Sequence, residues 1–118
     1  VADYGNDRLQ VFSLGGAFRQ SLAQGHLRRP YGIAVVRARL AVSEYLGDAI
    51  KLLRLDGTLL QTIAVQRFGH LGGVCARDGR VCVVDLSNEK IHSLEVRGAP
   101  DEAAALHLAR PLQADPPL

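Results

Sequence analysis

Methionine is absent from these 118 residues, cysteine occurs twice, and no long apolar run is present. Each shortage narrows the reading. Without Met, Val1 is not read as a translation start, and the chain is expected to be one part of a longer protein. Two cysteines cannot supply a structural zinc site unless a His pair stands at ligand spacing, and no such pair occurs. The apolar stretches fall far short of the ~20 residues that a membrane helix needs, so no membrane partner is expected. A large excess of one charge is missing as well. Lys and Arg together number 14 and Asp and Glu 12, a net charge of +2. That balance is too mild to imply nucleic acid or a membrane surface by itself. It is also uneven, because the stretch from Ala99 onward holds Arg110 against Asp101, Glu102 and Asp115. No HxxxH or HExxH pattern and no Gly-x-Ser-x-Gly elbow occurs, and Leu71-Gly72-Gly73-Val74 lacks the spacing of a phosphate loop.

What is present is a repeat. Leu9, Ile50 and Ile91 stand 41 residues apart, as do Gly16, Gly57 and Gly98. Gly32 and Gly73, and Ile33 and Val74, keep the same spacing. A period near 40 marks a stacked array or a propeller rather than an enzyme with one unique core. Each unit is then a small sheet that cannot bury its faces alone. The three copies run Val1 to Phe18, Leu40 to Leu59 and Val81 to Ala99. The second copy carries one extra residue between Ser43 and Ile50.

Four strands per unit follow from the pattern. Ile33 to Val36 and Val74 to Ala76 are short, β-branched runs suited to an innermost strand. Leu40 to Ser43 and Val81 to Asp85 come next, each after a tight turn. A third strand covers Leu9 to Leu14, Ile50 to Leu55 and Ile91 to Val96. Gly15-Gly16 and Asp56-Gly57 turn into a fourth, Phe18 to Leu22 and Leu59 to Ala64. A two-residue turn at Asp78-Gly79 sets Cys75 opposite Cys82, and both are read as buried, reduced thiols. In the third unit the fourth strand gives way to Pro100-Asp101-Glu102 ahead of an Ala/Leu run. That pattern predicts a short helix over Asp101 to Arg110, stopped by Pro111 and followed by a Pro-rich tail. The expected fold is all-β: about three four-stranded antiparallel propeller blades over 1–98, with a short helix and tail over 99–118.

The residues Pro30-Tyr31-Gly32-Ile33-Ala34-Val35, Val1-Ala2-Asp3, Asn6 and Arg8-Leu9-Gln10-Val11-Phe12 resemble the NHL repeat family. The third copy follows the pattern through Val84-Asp85, Asn88 and Lys90-Ile91. The second departs most, with Ser43 in the Asp place and Gly47-Asp48 near the Asn place. The resemblance covers about residues 1–98. It implies a β-propeller, six-bladed in most relatives, whose remaining blades come from the parent chain or from an oligomer. It further implies a cytoplasmic tripartite-motif-type ubiquitin ligase, with the chemistry in a separate RING domain. Other relatives are propeller enzymes of amidating-lyase or lactonase type with a channel metal held by His or carboxylates.

The motif residues have a structural reading first. Asp3 and Asp85 can close Asx-type turns, Asn6 and Asn88 suit left-handed loop positions, and Arg8 and Lys90 can lay their stems between units. Of His26, His70, His92 and His107, the first two precede innermost strands, yet they are not repeat-equivalent and read as surface histidines. No catalytic residue, metal or other cofactor is expected. A binding role is better supported. The loops at one end of the sheets carry Arg8, Arg28, Arg29, Arg67, Lys90, His26 and His70, with Tyr4, Tyr31, Tyr45 and Phe68 among them. Arg28, Arg29, Tyr31 and Arg67 are the candidate partner-binding residues. Relatives use this end for RNA or for protein partners. Asp7, Glu44, Asp48 and Glu89 on the same loops bring it close to neutral, which favours a protein partner over RNA.

Overall fold

A computed structural model describes residues 1–47, 49–64 and 69–97. The chain is all-β, built as three antiparallel sheets. Sheet one holds β1 (Ala2–Asp3), β2 (Arg8–Phe12) and β3 (Phe18–Leu22), in that order. Sheet two holds β4 (Pro30–Val36), β5 (Arg39–Glu44), β6 (Ala49–Arg54) and β7 (Leu59–Ala64). Sheet three holds β8 (Leu71–Arg77), β9 (Arg80–Asp85) and β10 (Lys90–Glu95). Within each sheet, consecutive strands pair, as short connections favour. The helix expected over Asp101 to Arg110, the tail and the boundary at 98/99 lie outside the described residues.

The 41-residue period is visible in backbone detail. The β4–β5 register shifts between Pro30 and Ile33, and the β8–β9 register shifts one period later, between Leu71 and Val74. Likewise the β2–β3 shift at Val11/Phe12 recurs in β6–β7 at Leu52/Leu53. Such bulges bend a strand at a fixed place, so their recurrence carries the repeat beyond side-chain similarity. The β2–β3 and β6–β7 turns match too. Gly16 and Gly57 take φ of 90° and 93°, and each donates its N–H to the carbonyl three residues back.

The β8–β9 turn has the expected Asp78-Gly79 pair, with φ of 51° and 77°, and Cys75 faces Cys82 across it. Both positive angles suit a hairpin turn that matches strand twist. One period earlier, Arg37 and Ala38 make the same turn with φ of 46° and 58°. Neither residue favours that region, at roughly 1–2 kcal/mol each. The Arg37 Nε donates to the Val96 carbonyl at 2.8 Å, a bond between sheets that helps hold the turn.

Sheet two lies between the others and is apolar on both faces. Val42 and Leu53 meet Leu9, Leu22, Ala23 and Leu27 in one core cluster. Ala41, Ile50 and Leu52 meet Leu71, Val81, Val83, Leu94 and Val96 in the other. Alternation along β5 and β9 sorts these side chains, since successive residues point to opposite faces. The inner strands approach closely: a Cβ on Gly32 would fall 2.9 Å from the Val74 nitrogen. The buried Ser43 hydroxyl accepts from the Gly32 N–H at 2.9 Å and donates to the Gly72 carbonyl at 2.6 Å. It thus clamps sheet two to sheet three. Ser43→Ala is expected to lower stability by about 2 kcal/mol, because two buried backbone groups lose their partner. Urea titration checks this, and a change within error would show that the clamp is dispensable.

Four sequence expectations are corrected. Sheets one and three hold three strands rather than four among the described residues, and left-handed φ falls on Asp7 and Glu89, at 53° and 54°, rather than on Asn6 and Asn88. Cys75 is exposed and Cys82 half-buried, both as free thiols. In β8 and β9 they alternate with Val74, Ala76, Val81 and Val83, which take the face toward sheet two. The cysteines therefore fall on the outer face. The second copy also has no extra residue. Four residues separate Glu44 from Ala49, as four separate Asp3 from Arg8 and Asp85 from Lys90. Glu44, not Ser43, occupies the Asp place.

Candidate functional site

One end of the sheets is organised around the carboxylates that close β1, β5 and β9. Asp3 accepts from Asn6 Nδ2 at 3.0 and 3.1 Å and from Arg8 Nε at 3.0 Å. These bonds, Arg8 first and Asn6 second, lower the Asp3 pKa. Asp85 is fully buried. Burial alone would push its carboxyl up. Hydrogen bonds from the Asn88 and His92 side chains, joined by the Gly69 and Asn88 N–H groups, outweigh burial and hold it at about 2. The Asn88 Nδ2 and His92 Nε2 bonds are both 2.8 Å. His92 forms an ion pair with Asp85 when its ring is protonated.

Glu44 does the same work with different partners. Its Oε2 accepts from the Arg28 N–H at 2.7 Å and from Lys51 Nζ at 3.1 Å, while Lys51 also donates to the His26 carbonyl at 2.6 Å. The backbone donor is repeat-equivalent, since Gly69, one period after Arg28, donates to Asp85 at 3.1 and 3.2 Å. The loop ahead of each innermost strand is therefore tied by its own N–H to the carboxylate of the same sheet. Where sheets one and three use Asp with Asn, sheet two uses Glu with Gly. A side chain at Gly47 would overlap the Glu44 carboxylate. The longer acid fills the space that an Asn side chain takes in the other two copies.

On this frame sits a strip of rings and cations. Arg29 Cζ lies 5.2 Å from the centre of the Tyr4 ring. Tyr4 meets Tyr45 edge-to-face at 5.9 Å. Tyr45 stacks on His70 at 4.5 Å and 12°, and on Tyr31 at 6.5 Å and 28°. The strip crosses from sheet one to sheet three. Each ring pair contributes roughly 0.5–1.5 kcal/mol beyond burial, and the exposed cation–π contact roughly 0.5–1 kcal/mol.

The strip obeys the repeat. Tyr4 and Tyr45 are one period apart, and so are Arg29 and His70. In each pair the later residue covers the tyrosine of the preceding sheet. Arg29 Nη1 also donates to the Tyr4 carbonyl at 3.4 Å, and His70 Nδ1 bonds the Tyr45 carbonyl at 2.8 Å. A carbonyl only accepts, so this ring carries its proton on Nδ1. The backbone repeats as well: the Tyr45 N–H donates to the Arg29 carbonyl and the Leu86 N–H to the His70 carbonyl. Arg29 holds a left-handed φ of 51°. Its N–H donates to Asp7 Oδ1 at 2.7 Å, so three hydrogen bonds and the cation–π contact fix an otherwise unfavourable conformation.

Of the four candidates from the sequence, the structure brings three to this end. Arg28 is exposed, Arg29 half-buried against Tyr4, and Tyr31 exposed beside Tyr45. Arg67 lies outside the described residues. Tyr4, Tyr45 and His70 complete the strip. The tyrosines carried a signal, being one period apart. His70 was placed at this end by its loop, but its stack on Tyr45 carried no signal, because Arg is its equivalent. Among the described residues no three His, Cys, Asp or Glu side chains cluster as a metal site would require. No helix among them is long and apolar enough to cross a membrane. No protein-family model and no curated protein matches this sequence.

Proposed function

We propose that the three sheets are successive blades of an NHL-like β-propeller, and that the end bearing Tyr4, Tyr31, Tyr45, Arg28, Arg29 and His70 docks a protein partner. The observation that carries the reading is the ring-and-cation strip, which is preorganised and crosses all three sheets. Tyr and Arg are favoured interface anchors, giving large contact area and directed hydrogen bonds. The repeated bulges, turns and carboxylates support the propeller, because stacked equivalent sheets are what that architecture requires. The proposed parent is a cytoplasmic tripartite-motif-type ubiquitin ligase, in which this segment selects the target and takes no part in the chemistry.

RNA is the weaker ligand on the geometry. Arg29 is committed to Tyr4, and Lys51 is paired with Glu44. Stacked rings in mutual contact also leave fewer open faces for bases. The test is partner capture by full-length protein carrying Arg28→Glu or Tyr31→Ala. Each is expected to weaken binding about 10- to 30-fold, the loss of one anchor, with an unchanged circular dichroism spectrum. Unaltered capture by both variants would remove this end from consideration. A binding constant falling steeply with salt would instead indicate phosphate contacts.

A further inference from the structure

The tyrosine-bearing end has more donors to offer than acceptors. Its carbonyls are already engaged. That of Tyr4 accepts from Arg29 Nη1, that of Tyr45 from His70 Nδ1, and that of His26 from Lys51 Nζ. The Arg29 and His70 carbonyls accept from the Tyr45 and Leu86 N–H groups. The carboxylates of Asp3, Glu44 and Asp85 each take several donors from their own unit. What is left over is different in kind. Among the described residues, the hydroxyls of Tyr4, Tyr31 and Tyr45 and the guanidinium of Arg28 have no hydrogen-bond partner. Tyr4 is 41% exposed, Tyr31 53%, and Arg28 is exposed too. A phenol and a guanidinium both donate, and the guanidinium cannot accept at all.

An ordinary peptide brings one N–H per residue to such a surface, and each one buried without an acceptor costs free energy. Proline brings none. A proline-rich segment in the polyproline II form has no internal hydrogen bonds, so its carbonyls are open to outside donors. It is also extended before it binds, so little further order is lost. Pairing as an added strand is closed to a partner here. Strands β1, β5 and β9 end at this end and β2, β6 and β10 begin at it, so it presents strand ends rather than a sheet edge. We infer that the protein partner presents an extended, proline-rich segment carrying an acidic side chain. Its carbonyls accept from the tyrosine hydroxyls, its proline rings lie against the tyrosine faces, and its carboxylate takes both prongs of the Arg28 guanidinium. The inference rests on the docking reading of this end and adds the class of partner to it.

The test is fluorescence anisotropy of short labelled peptides, rich in proline and bearing a Glu at varied positions, titrated with the full-length protein. Binding is expected. Alanine at the proline positions restores the N–H groups at equal charge and should weaken it at least about 10-fold. Tyr31→Phe and Tyr45→Phe keep the ring and remove the hydroxyl. Each should weaken binding about 3- to 10-fold, the worth of one neutral hydrogen bond. Arg28→Gln should weaken binding of the Glu peptides about 10-fold and leave that of their Gln counterparts unchanged. A wild-type protein that leaves every peptide unbound at millimolar concentration overturns the inference. So does equal affinity for the proline and alanine series, a comparison that needs no variant and stands even if one misfolds. Equal affinity of wild type and both Phe variants rejects the hydroxyls as donors and the inference with them. The peptide result and the capture result are separate. If no peptide binds while Arg28→Glu still weakens partner capture, the docking reading stands and the class of partner is wrong. If capture is also unmoved by Arg28→Glu and Tyr31→Ala, the docking reading itself has failed.

Discussion

Asp85→Ala is expected to cost about 3–5 kcal/mol, as removal of one member of a buried charged network typically does. The substitution strands the Gly69 N–H, Asn88 Nδ2 and His92 Nε2, which now converge on one carboxylate. The same carboxylate makes stability depend on pH. Its folded pKa is about 2, below the ordinary value of 3.8. The unfolded chain therefore binds the proton more tightly, and the contribution is complete only above about pH 4. Between there and pH 2 it is lost, in total about 2 kcal/mol. Urea titrations from pH 7 to pH 2 should show wild type losing stability over that window, with the gap to Asp85→Ala narrowing. A constant gap would show that packing rather than charge holds the loop. Asp3→Ala should have a much smaller effect, because water reaches its ion pair with Arg8.

The second large effect concerns the exchange of Asp-with-Asn for Glu-with-Gly. Gly47→Asn alone should destabilise by about 2–3 kcal/mol, the cost of overpacking, since the new side chain and the Glu44 carboxylate compete for one space. Gly47 does not hold a positive φ, so the backbone itself accepts a side chain there. Glu44→Asp alone withdraws the carboxylate from the Arg28 N–H and Lys51 and should also destabilise. The double variant recreates the pair found in sheets one and three. It should recover at least about 2 kcal/mol relative to the sum of the single changes, within the range of direct contacts. Additive losses in this double-mutant cycle would mean that the two positions do not share space.

How far the sequence could be read depended on what each position reports. Strand order, hairpin pairs and the Cys75–Cys82 register were legible, because Gly-containing turns and period-2 alternation act locally. The place of Glu44 was not. Strict counting by 41 puts it with Asp3 and Asp85, but matching by similarity preferred Ser43 and then required an insertion. Only the space over Gly47 explains why a longer acid stands there. The cysteine burial was misjudged for a different reason. A strand pattern says which residues share a face, not whether another sheet covers that face. The Arg37-Ala38 turn gave no warning either, since its positive angles are held by a bond to Val96, which is 59 residues away. At the tyrosine-bearing end, Arg28, Arg29 and Tyr31 could be placed from their loops. The stacking of His70 on Tyr45 could not, because it joins two units.

The loops at that end are attached through main-chain atoms. Position 28 or 69 donates its N–H to a carboxylate, and position 29 or 70 offers its carbonyl to the next turn. None of these anchors depends on which side chain the loop carries. Arg28 and Gly69 therefore share one anchor, and so do Arg29 and His70, although they have little chemistry in common. Such a loop can change its outward character without changing its course. The outward chemistry can thus differ from unit to unit while the architecture stays constant, and exchange of the Arg28 side chain leaves these main-chain bonds in place, whereas a side chain at Gly69 would collide with Ser87 and the Asp85 carboxylate.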